Sequence, residues 1–256
     1  MNKIICIDFD GTLMDPATGI IPKSSVEAIQ TLKANGHIPV IATGRNLYLL
    51  DDHPQQLGID HVIGSNGAFI VSKGALIHER PMQKNAIFPL VEALKAAKID
   101  YTFSSHDRYV THQMFGEDIQ GFSDHFNMKH PEIDPTFNAY DHIYQINIFT
   151  QADLPDRLIQ SSPFDFLRAS FNGYDVIEGV LYKEAGIAAL KELWHLNDDQ
   201  IVAIGDGMND IGMIQYAPLG IAMGNAQEPV KKAADYVTDS VIHDGLSKAL
   251  KHFNFI

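Results

Sequence analysis

The chain of 256 residues holds a single cysteine, Cys6, so no intramolecular disulfide is possible. Cys6 sits in an apolar run with nothing nearby to lower its pKa, and it is expected to be a small buried apolar residue rather than a reactive thiol. Positive charge is also scarce, with 19 Lys and Arg against 32 Asp and Glu, for a formal net charge of -13. That balance argues against nucleic-acid or anionic-membrane binding through a general basic surface, and any anion site must build its positive potential locally. No apolar run approaches the ~20 residues of a membrane-spanning helix. The amino terminus leads into a predicted strand without the basic and apolar regions of a signal peptide. Together these features lead us to expect a cytoplasmic protein. With 45% hydrophobic and 20% charged residues, the composition is that of a globular chain with material for one large domain or two smaller ones.

What is present begins with Asp8-Phe9-Asp10-Gly11-Thr12, directly after the apolar run Lys3-Ile4-Ile5-Cys6-Ile7. Residues i and i+2 of an extended chain project to the same side, so Asp8 and Asp10 would converge at a strand end. Their charges repel unless something cationic neutralises them, which a divalent metal or a catalytic role would explain. Acidic residues and Gly are also ordinary turn formers, so the motif alone leaves a structural reading open.

The first 70 or so residues alternate strand and helix patterns. Ser24-Ser25-Val26-Glu27 reads as a capping box opening a helix, with apolar Val26, Ile29 and Leu32 and a stop at Asn35-Gly36. A strand is predicted over His37 to Ala42, ending at Thr43-Gly44-Arg45. A helical stretch interrupted by Pro54 leads to Gly58, and a third strand runs from His61 to Gly64. This rhythm predicts right-handed crossovers and a parallel sheet, with ligands at the carboxyl ends of its strands. Near Ala68 the pattern changes: a hairpin around Ser72-Lys73-Gly74 is followed, from about Pro81 to Gly179, by one helix (Asn85 to Ala97) and several strand-like runs. From Lys183 the first rhythm resumes, with a helix to Leu196 and strands at Ile201 to Ile204 and Leu219 to Ala222. The expected organisation is an α/β core, residues 1–80 and 181–256, split by an inserted α/β domain, 81–180, that caps the active site.

Ile204-Gly205-Asp206-Gly207-Met208-Asn209-Asp210 is a second apolar strand ending in a Gly-flanked acidic turn. If it runs parallel to the first, Asp206 emerges beside Asp8, and such a set of oxygen donors suits Mg²⁺. The plainer reading is a solvated turn with Asn209 or Asp210 as an N-cap. At this point the chain resembles the haloacid dehalogenase superfamily, specifically its Cof-type phosphatases with an α/β cap of the C2B type. The resemblance rests on DFDGT at Asp8 to Thr12, ATGR at Ala42 to Arg45, a lysine at Lys183 and GDGMND at Gly205 to Asp210. The stretches Ser65 to Ala68, Ala222 to Ala226 and Asp244-Gly245 also fit.

The resemblance implies a Rossmann-like three-layer core with a mostly parallel sheet. It makes Asp8 the nucleophile and Asp10 the general acid/base. Phe9 and Gly44 would supply backbone N–H groups and Thr43 a hydroxyl to the phosphate, Lys183 would be the phosphate-neutralising cation, and Asn209 would touch phosphate or orient Lys183. Asp8, Asp10 and Asp206 would hold Mg²⁺, with Asp210 supporting the metal indirectly. The implied function is Mg²⁺-dependent hydrolysis of a small phosphorylated metabolite, a sugar phosphate or phosphorylated cofactor, through an aspartyl phosphate. A phosphomutase and a non-catalytic phospholigand sensor are the alternatives, and nothing in the pattern specifies an oligomeric state. One departure from the family is Glu184, where a small residue is common; an acid there suits the start of a helix. For Lys183 the structural alternative is a solvated loop lysine, for Thr43 a strand-ending β-former, and for Arg45 a surface ion pair. The twelve histidines are scattered, and His106, His112, His125 and His130 are expected to pack or face solvent beside Tyr109, Phe115, Phe122 and Phe126, with a cap histidine or Arg108 as a possible leaving-group contact. Phe88, Phe103 and Trp194 are expected to fill cores.

Overall fold

A computed structural model describes residues 2–113, 116–125, 127–137, 142–160, 162–170, 173–179 and 182–256; Phe115 and Phe126 lie outside them. The chain forms two compact units, one of residues 1–44, 51–78 and 182–256, the other of residues 45–50 and 79–181.

In chain order the elements are β1 (Ile4–Ile7), α1 (Lys23–Ala34), β2 (Ile38–Ala42), α2 (Leu47–Leu50), α3 (His53–Leu57), β3 (His61–Gly64), β4 (Phe69–Ser72) and β5 (Ala75–Glu79). Then come α4 (Lys84–Ala97), β6 (Asp100–Ser104), β7 (Tyr109–Thr111), α5 (Glu117–His125), β8 (Glu132–Ile133), β9 (Gln145–Phe149), α6 (Asp156–Gln160), β10 (Asp165–Ser170) and β11 (Gly173–Ile177). The chain ends with α7 (Lys183–Leu193), β12 (Ile201–Gly205), α8 (Ile211–Tyr216), β13 (Leu219–Ala222), α9 (Glu228–Ala233), β14 (Tyr236–Val237) and α10 (Gly245–His252).

The first unit is built on an eight-stranded sheet ordered β14-β13-β12-β1-β2-β3-β4-β5. Its strands from β14 to β3 are parallel, and β4 turns back antiparallel on β3. Every residue of β1 and β12 is buried, as a parallel sheet covered on both faces requires. On one face Ile4, Cys6, Val40, Ile63 and Ala203 pack against Ile187 and Leu190 of α7 and Met213 of α8. Burial pushes the Cys6 thiol up to about 12, so it stays protonated and inert. Ile7 lies in register with both Ile204 and Ile41, which brings the carboxyl ends of β1, β2 and β12 level. The chain leaves β1 for β2 on one side while β12 flanks it on the other, so the crevice between β1 and β12 is the switch point where open α/β sheets bind ligands.

The second unit carries a six-stranded sheet ordered β10-β11-β9-β6-β7-β8, antiparallel except between β7 and β8. Ile87, Leu90, Val91 and Leu94 of α4 pack on Tyr101, Phe103, Ile146 and Ile148. The alternate residues Thr102, Ser104, Gln145 and Asn147 form a buried polar row on the other face, where the Asn147 amide donates to Asp175 at 2.7 Å. Leu49 of α2 joins Tyr109, Ile119, Phe122 and Phe149 in a smaller cluster.

Several local expectations are corrected. The helix α1 begins at Lys23 behind Pro22 with no side-chain cap, and Ser24 donates instead to Asp244 at 2.5 Å. Phe88 is 59% exposed, because α4 already buries the stripe from Ile87 to Leu94 and the next position faces outward. Arg45 is buried, its guanidinium donating to the Leu49 carbonyl at 2.9 Å, not lying at the surface. Apart from these corrections, Arg108 pairs with Glu132 at 2.7 Å and Asp134 at 3.3 Å.

Candidate active site

Asp8 follows the last residue of β1, and its backbone N–H donates to the Ile204 carbonyl at 2.9 Å, continuing the ladder with β12. The side chain is buried. Lys183, the first residue of α7, donates to Asp8 Oδ1 at 2.5 Å and Asp210 Oδ1 at 2.6 Å, and is itself 1% exposed. This is a buried cation shared by two carboxylates, not a solvated loop lysine. Asp210 Oδ2 accepts the backbone N–H groups of Asp206 and Gly207 at 2.9 and 2.8 Å. The Asp210 carboxylate thus fastens the Gly205–Gly207 turn to the head of α7. Gly205 leaves room for this, since a Cβ there would collide with the Asp210 carboxyl.

Asp206 is oriented from both sides. Thr12 Oγ1 donates to its Oδ1 at 2.8 Å and Asn225 Nδ2 to its Oδ2 at 2.9 Å. The same Asn225 amide donates to the Gly11 carbonyl at 2.9 Å, and its Oδ1 accepts the Val241 N–H at 3.0 Å. Gly11 has φ +85°, and a Cβ there would run into the Asp206 carboxylate, so glycine is required on both counts. On the other flank, the Thr43 carbonyl accepts the Asn66 N–H at 3.0 Å, and Asn209 Nδ2 donates to Asn66 Oδ1 at 2.9 Å. Thr43 is buried.

The electrostatics follow from this crowding. Burial raises the Asp8 carboxyl well above its usual range, and Asp210 raises it further while Lys183 pulls it back. Burial likewise pushes the Asp206 carboxyl up to about 6, with Asp210 adding to the shift and the Thr12 hydroxyl opposing it. Burial works against the Lys183 ammonium, but Asp210 and Asp8 outweigh it and hold the lysine charged. One lysine therefore does not balance the carboxylates around it.

Asp8, Asp206 and Asp210 each place a carboxylate oxygen within 4.8 Å of the others. An all-oxygen donor set with excess negative charge fits a hard divalent cation. Within it, Asp210 has both oxygens engaged, one by Lys183 and one by two backbone N–H groups. Asp206 also has both oxygens engaged, by Thr12 and Asn225, but it keeps partial exposure, whereas Asp210 is fully enclosed. Asp10 is half-buried, and its carboxylate stands outside the three-carboxylate cluster. Phe9, fully buried, packs edge-on against His53 at 5.3 Å.

The structure gathers Asp8, Lys183, Asp206 and Asp210 into one hydrogen-bonded cluster and places Asn209 beside Asn66, next to Thr43. Thr12, Asn66 and Asn225 are site residues to which no role was given from the sequence. Each lies in a stretch that stood out there, but a side chain that orients a carboxylate 194 positions away, as Thr12 does for Asp206, leaves no local pattern. Glu184, read from the sequence only as an acid suited to a helix start, is the second residue of α7, lies where a Cβ on Gly212 would strike its carboxyl, and has a buried Oε2 with no hydrogen-bond partner among the described residues.

Residues 5–250 match the family model for haloacid dehalogenase-like hydrolases. The chain is 31% identical over 256 residues to YkrA of Bacillus subtilis (strain 168), covering 100% of this chain and 99% of that protein. It is 29% identical over 252 residues to the 5-amino-6-(5-phospho-D-ribitylamino)uracil phosphatase YcsE of the same organism, covering 98% and 95%. Among solved structures, the subclass IIB sugar phosphatase BT4131 superposes with a TM-score of 0.87 at 28% identity, covering all of both chains. With a family match across nearly the whole chain and a carboxylate cluster at the switch point of its sheet, the protein belongs to the haloacid dehalogenase-like hydrolases, in their Cof-type branch.

Proposed function

We propose that the protein is a phosphatase that hydrolyses a small phosphorylated metabolite through an aspartyl phosphate on Asp8. The observation that carries this reading is the Lys183 ammonium, buried between Asp8 and Asp210 at hydrogen-bond distance from both. A phosphate dianion cannot approach an ionised carboxylate unaided, and a desolvated, positionally fixed cation beside that carboxylate lowers the barrier to its approach. Two of the similar proteins are named as phosphatases of a phosphoribitylaminouracil and of sugar phosphates, which supports a compact phosphomonoester as the substrate class.

Asp8 attacks phosphorus, the P–O bond to the leaving group breaks, and Asp10 gives that oxygen a proton. Asp10, now a base, takes a proton from water as the water attacks the acyl phosphate, which returns Asp8 and releases phosphate. The Thr43 hydroxyl and the backbone N–H groups of Phe9 and Gly44 bind phosphoryl oxygens, and Asn209 does so or orients Lys183. Mg²⁺ held by Asp8 and Asp206, with Asp10 completing the set, would supply charge neutralisation at the phosphoryl oxygens. Asp210 acts through Lys183 and the Gly205–Gly207 turn, so it is a positioning residue.

The test is a screen of phosphorylated metabolites and an aryl phosphate that measures released phosphate with Mg²⁺ and with chelator. The reading expects turnover that needs the metal and stops in Asp8→Asn. Metal-independent turnover, or turnover that survives Asp8→Asn, would overturn it. Transfer of the phosphoryl group within the substrate without release would mark a mutase.

A further inference from the structure

The opposite edge of the core sheet carries a cavity that the phosphatase reading does not use. Its volume is about 290 Å³, and it lies where β2 and β3 begin, lined by Lys33, His37, Asp60, His61 and Lys73 among others. The five residues of β2 separate it from Thr43, roughly 16 Å at about 3.3 Å per residue.

The lining is rich in donors and poor in acceptors. His37 Nδ1 accepts the Lys3 backbone N–H at 3.0 Å, so in the neutral ring the proton sits on Nε2 and makes that atom a donor. His61 is only 9% exposed. Its Nδ1 is 2.9 Å from Ser72 Oγ, and its ring stands edge-on to Trp194 at 4.7 Å. That leaves His61 Nε2 without a hydrogen-bond partner among the described residues. The Lys33 ammonium donates to the Gly58 carbonyl, and among the described residues neither Lys33 nor Lys73 forms an ion pair. Asp60 is the one acid in the lining, so the walls carry a formal charge of +1 in a chain whose net charge is -13. Burial holds His61 below the usual imidazole range; Asp60 opposes this, and Lys73 and Lys33 reinforce it.

We propose that this cavity is a second anion site, which takes a phosphate dianion, free or as the head of a compact phosphomonoester, at the sheet edge remote from Asp8. Lys33 and Lys73 supply charge, His37 supplies an Nε2–H donor and His61 a second when its ring is protonated, from nitrogens with no hydrogen-bond partner among the described residues. Charge-assisted hydrogen bonds are the strong ones, and a chain this acidic attracts anions only where cations are gathered locally.

Trp194 is the only tryptophan in the chain and touches His61, which gives a specific reporter. An anion beside His61 favours the protonated ring, and a protonated imidazole quenches a neighbouring indole. Inorganic phosphate and, separately, glycerol phosphate are titrated into the full-length protein at constant ionic strength while Trp194 emission is followed. We expect saturable quenching that persists in Asp8→Asn. In Lys33→Gln/Lys73→Gln the apparent Kd should rise at least about tenfold, as the loss of charged hydrogen bonds implies. That double variant should keep its phosphatase turnover and its inhibition by product phosphate, which separates this site from the one at Asp8. A response to glycerol phosphate alone identifies the esterified form as the ligand, and a response to inorganic phosphate alone the free ion. Absence of saturation with either, quenching unchanged in the double variant, or quenching lost in Asp8→Asn overturns the proposal.

Discussion

Replacing Asp8 by asparagine is expected to remove turnover with every substrate, because an amide is a very poor nucleophile. Asp10→Asn should divide the reaction instead. An aryl phosphate expels a weakly basic phenolate that needs little protonation, so Asp8 still attacks, while hydrolysis of the acyl phosphate lacks its base. Rapid quench of the Asp10 variant with a radiolabelled aryl phosphate should therefore reveal a hydroxylamine-sensitive label on Asp8. Slow phosphate release with no label would mean that the roles of the two aspartates are wrongly assigned. Asp206→Asn should weaken Mg²⁺ dependence and activity together in a chain that still folds, since its amide oxygen still accepts from Thr12 but offers the ion one neutral oxygen, while loss of the hydrogen bond from Asn225 lowers thermal stability only modestly. A loss of activity explained by unfolding would instead give Asp206 a structural role. Asp8 and Asp206 were legible in the sequence because each follows an apolar strand at a glycine-containing turn. Asn225 and Asn66 were not, since each acts by reaching a residue that only the folded sheet brings near.

At the scale of elements, the contact between α7 and α8 joins the helix that carries Lys183 to the one that follows Asp210. Glu184 lies against Gly212 there, with a half-buried side chain whose carboxyl burial raises above the usual range. A raised carboxyl binds its proton more tightly in the native state than in the unfolded one, so its contribution falls as pH rises above the unfolded value near 4.5. Glu184→Gln, which stays neutral, should therefore gain stability relative to the parent between pH 5 and pH 7.5 (about neutral), read as a rising difference in urea midpoint. A difference that is flat with pH would mean that the carboxyl is as well solvated as in the unfolded chain. Gly212→Ala should cost about 1–3 kcal/mol, the usual penalty for overpacking, and much less in a Glu184→Ala background; additive costs would show that the two do not meet. The helices themselves were legible from apolar spacing, and β3 and β13 fall on the predicted residues. The capping box was not: Ser24 bonds Asp244 instead, a tertiary partner that local sequence does not display.

At the scale of the whole molecule, the chain separates chemistry from shape. Every side chain of the carboxylate cluster belongs to the unit of residues 1–44, 51–78 and 182–256. The other unit is a sheet with one apolar face under α4 and a row of buried polar groups, Thr102, Ser104, Gln145 and Asn147, on the other. Burying polar groups costs stability unless they are hydrogen-bonded, and an apolar pair of faces would serve a purely structural sheet better. Residues 45–50 belong with the insert, although they follow β2 directly, because Leu49 packs with Tyr109 and Phe122 and the Leu47 N–H donates to the His106 carbonyl at 2.8 Å. No local signal marks such a crossing, and a boundary drawn from the sequence alone falls near residue 80. If the insert selects the leaving group, exchanging residues 81–179 for those of a relative with a different substrate should move kcat/KM among metabolites by orders of magnitude. Hydrolysis of an aryl phosphate, whose leaving group needs little recognition, should change far less. Parallel loss of both activities in a folded chimera would make the insert part of the catalytic machinery. Retention of the original metabolite ranking would place selection in the core, around Thr43 and Asn66.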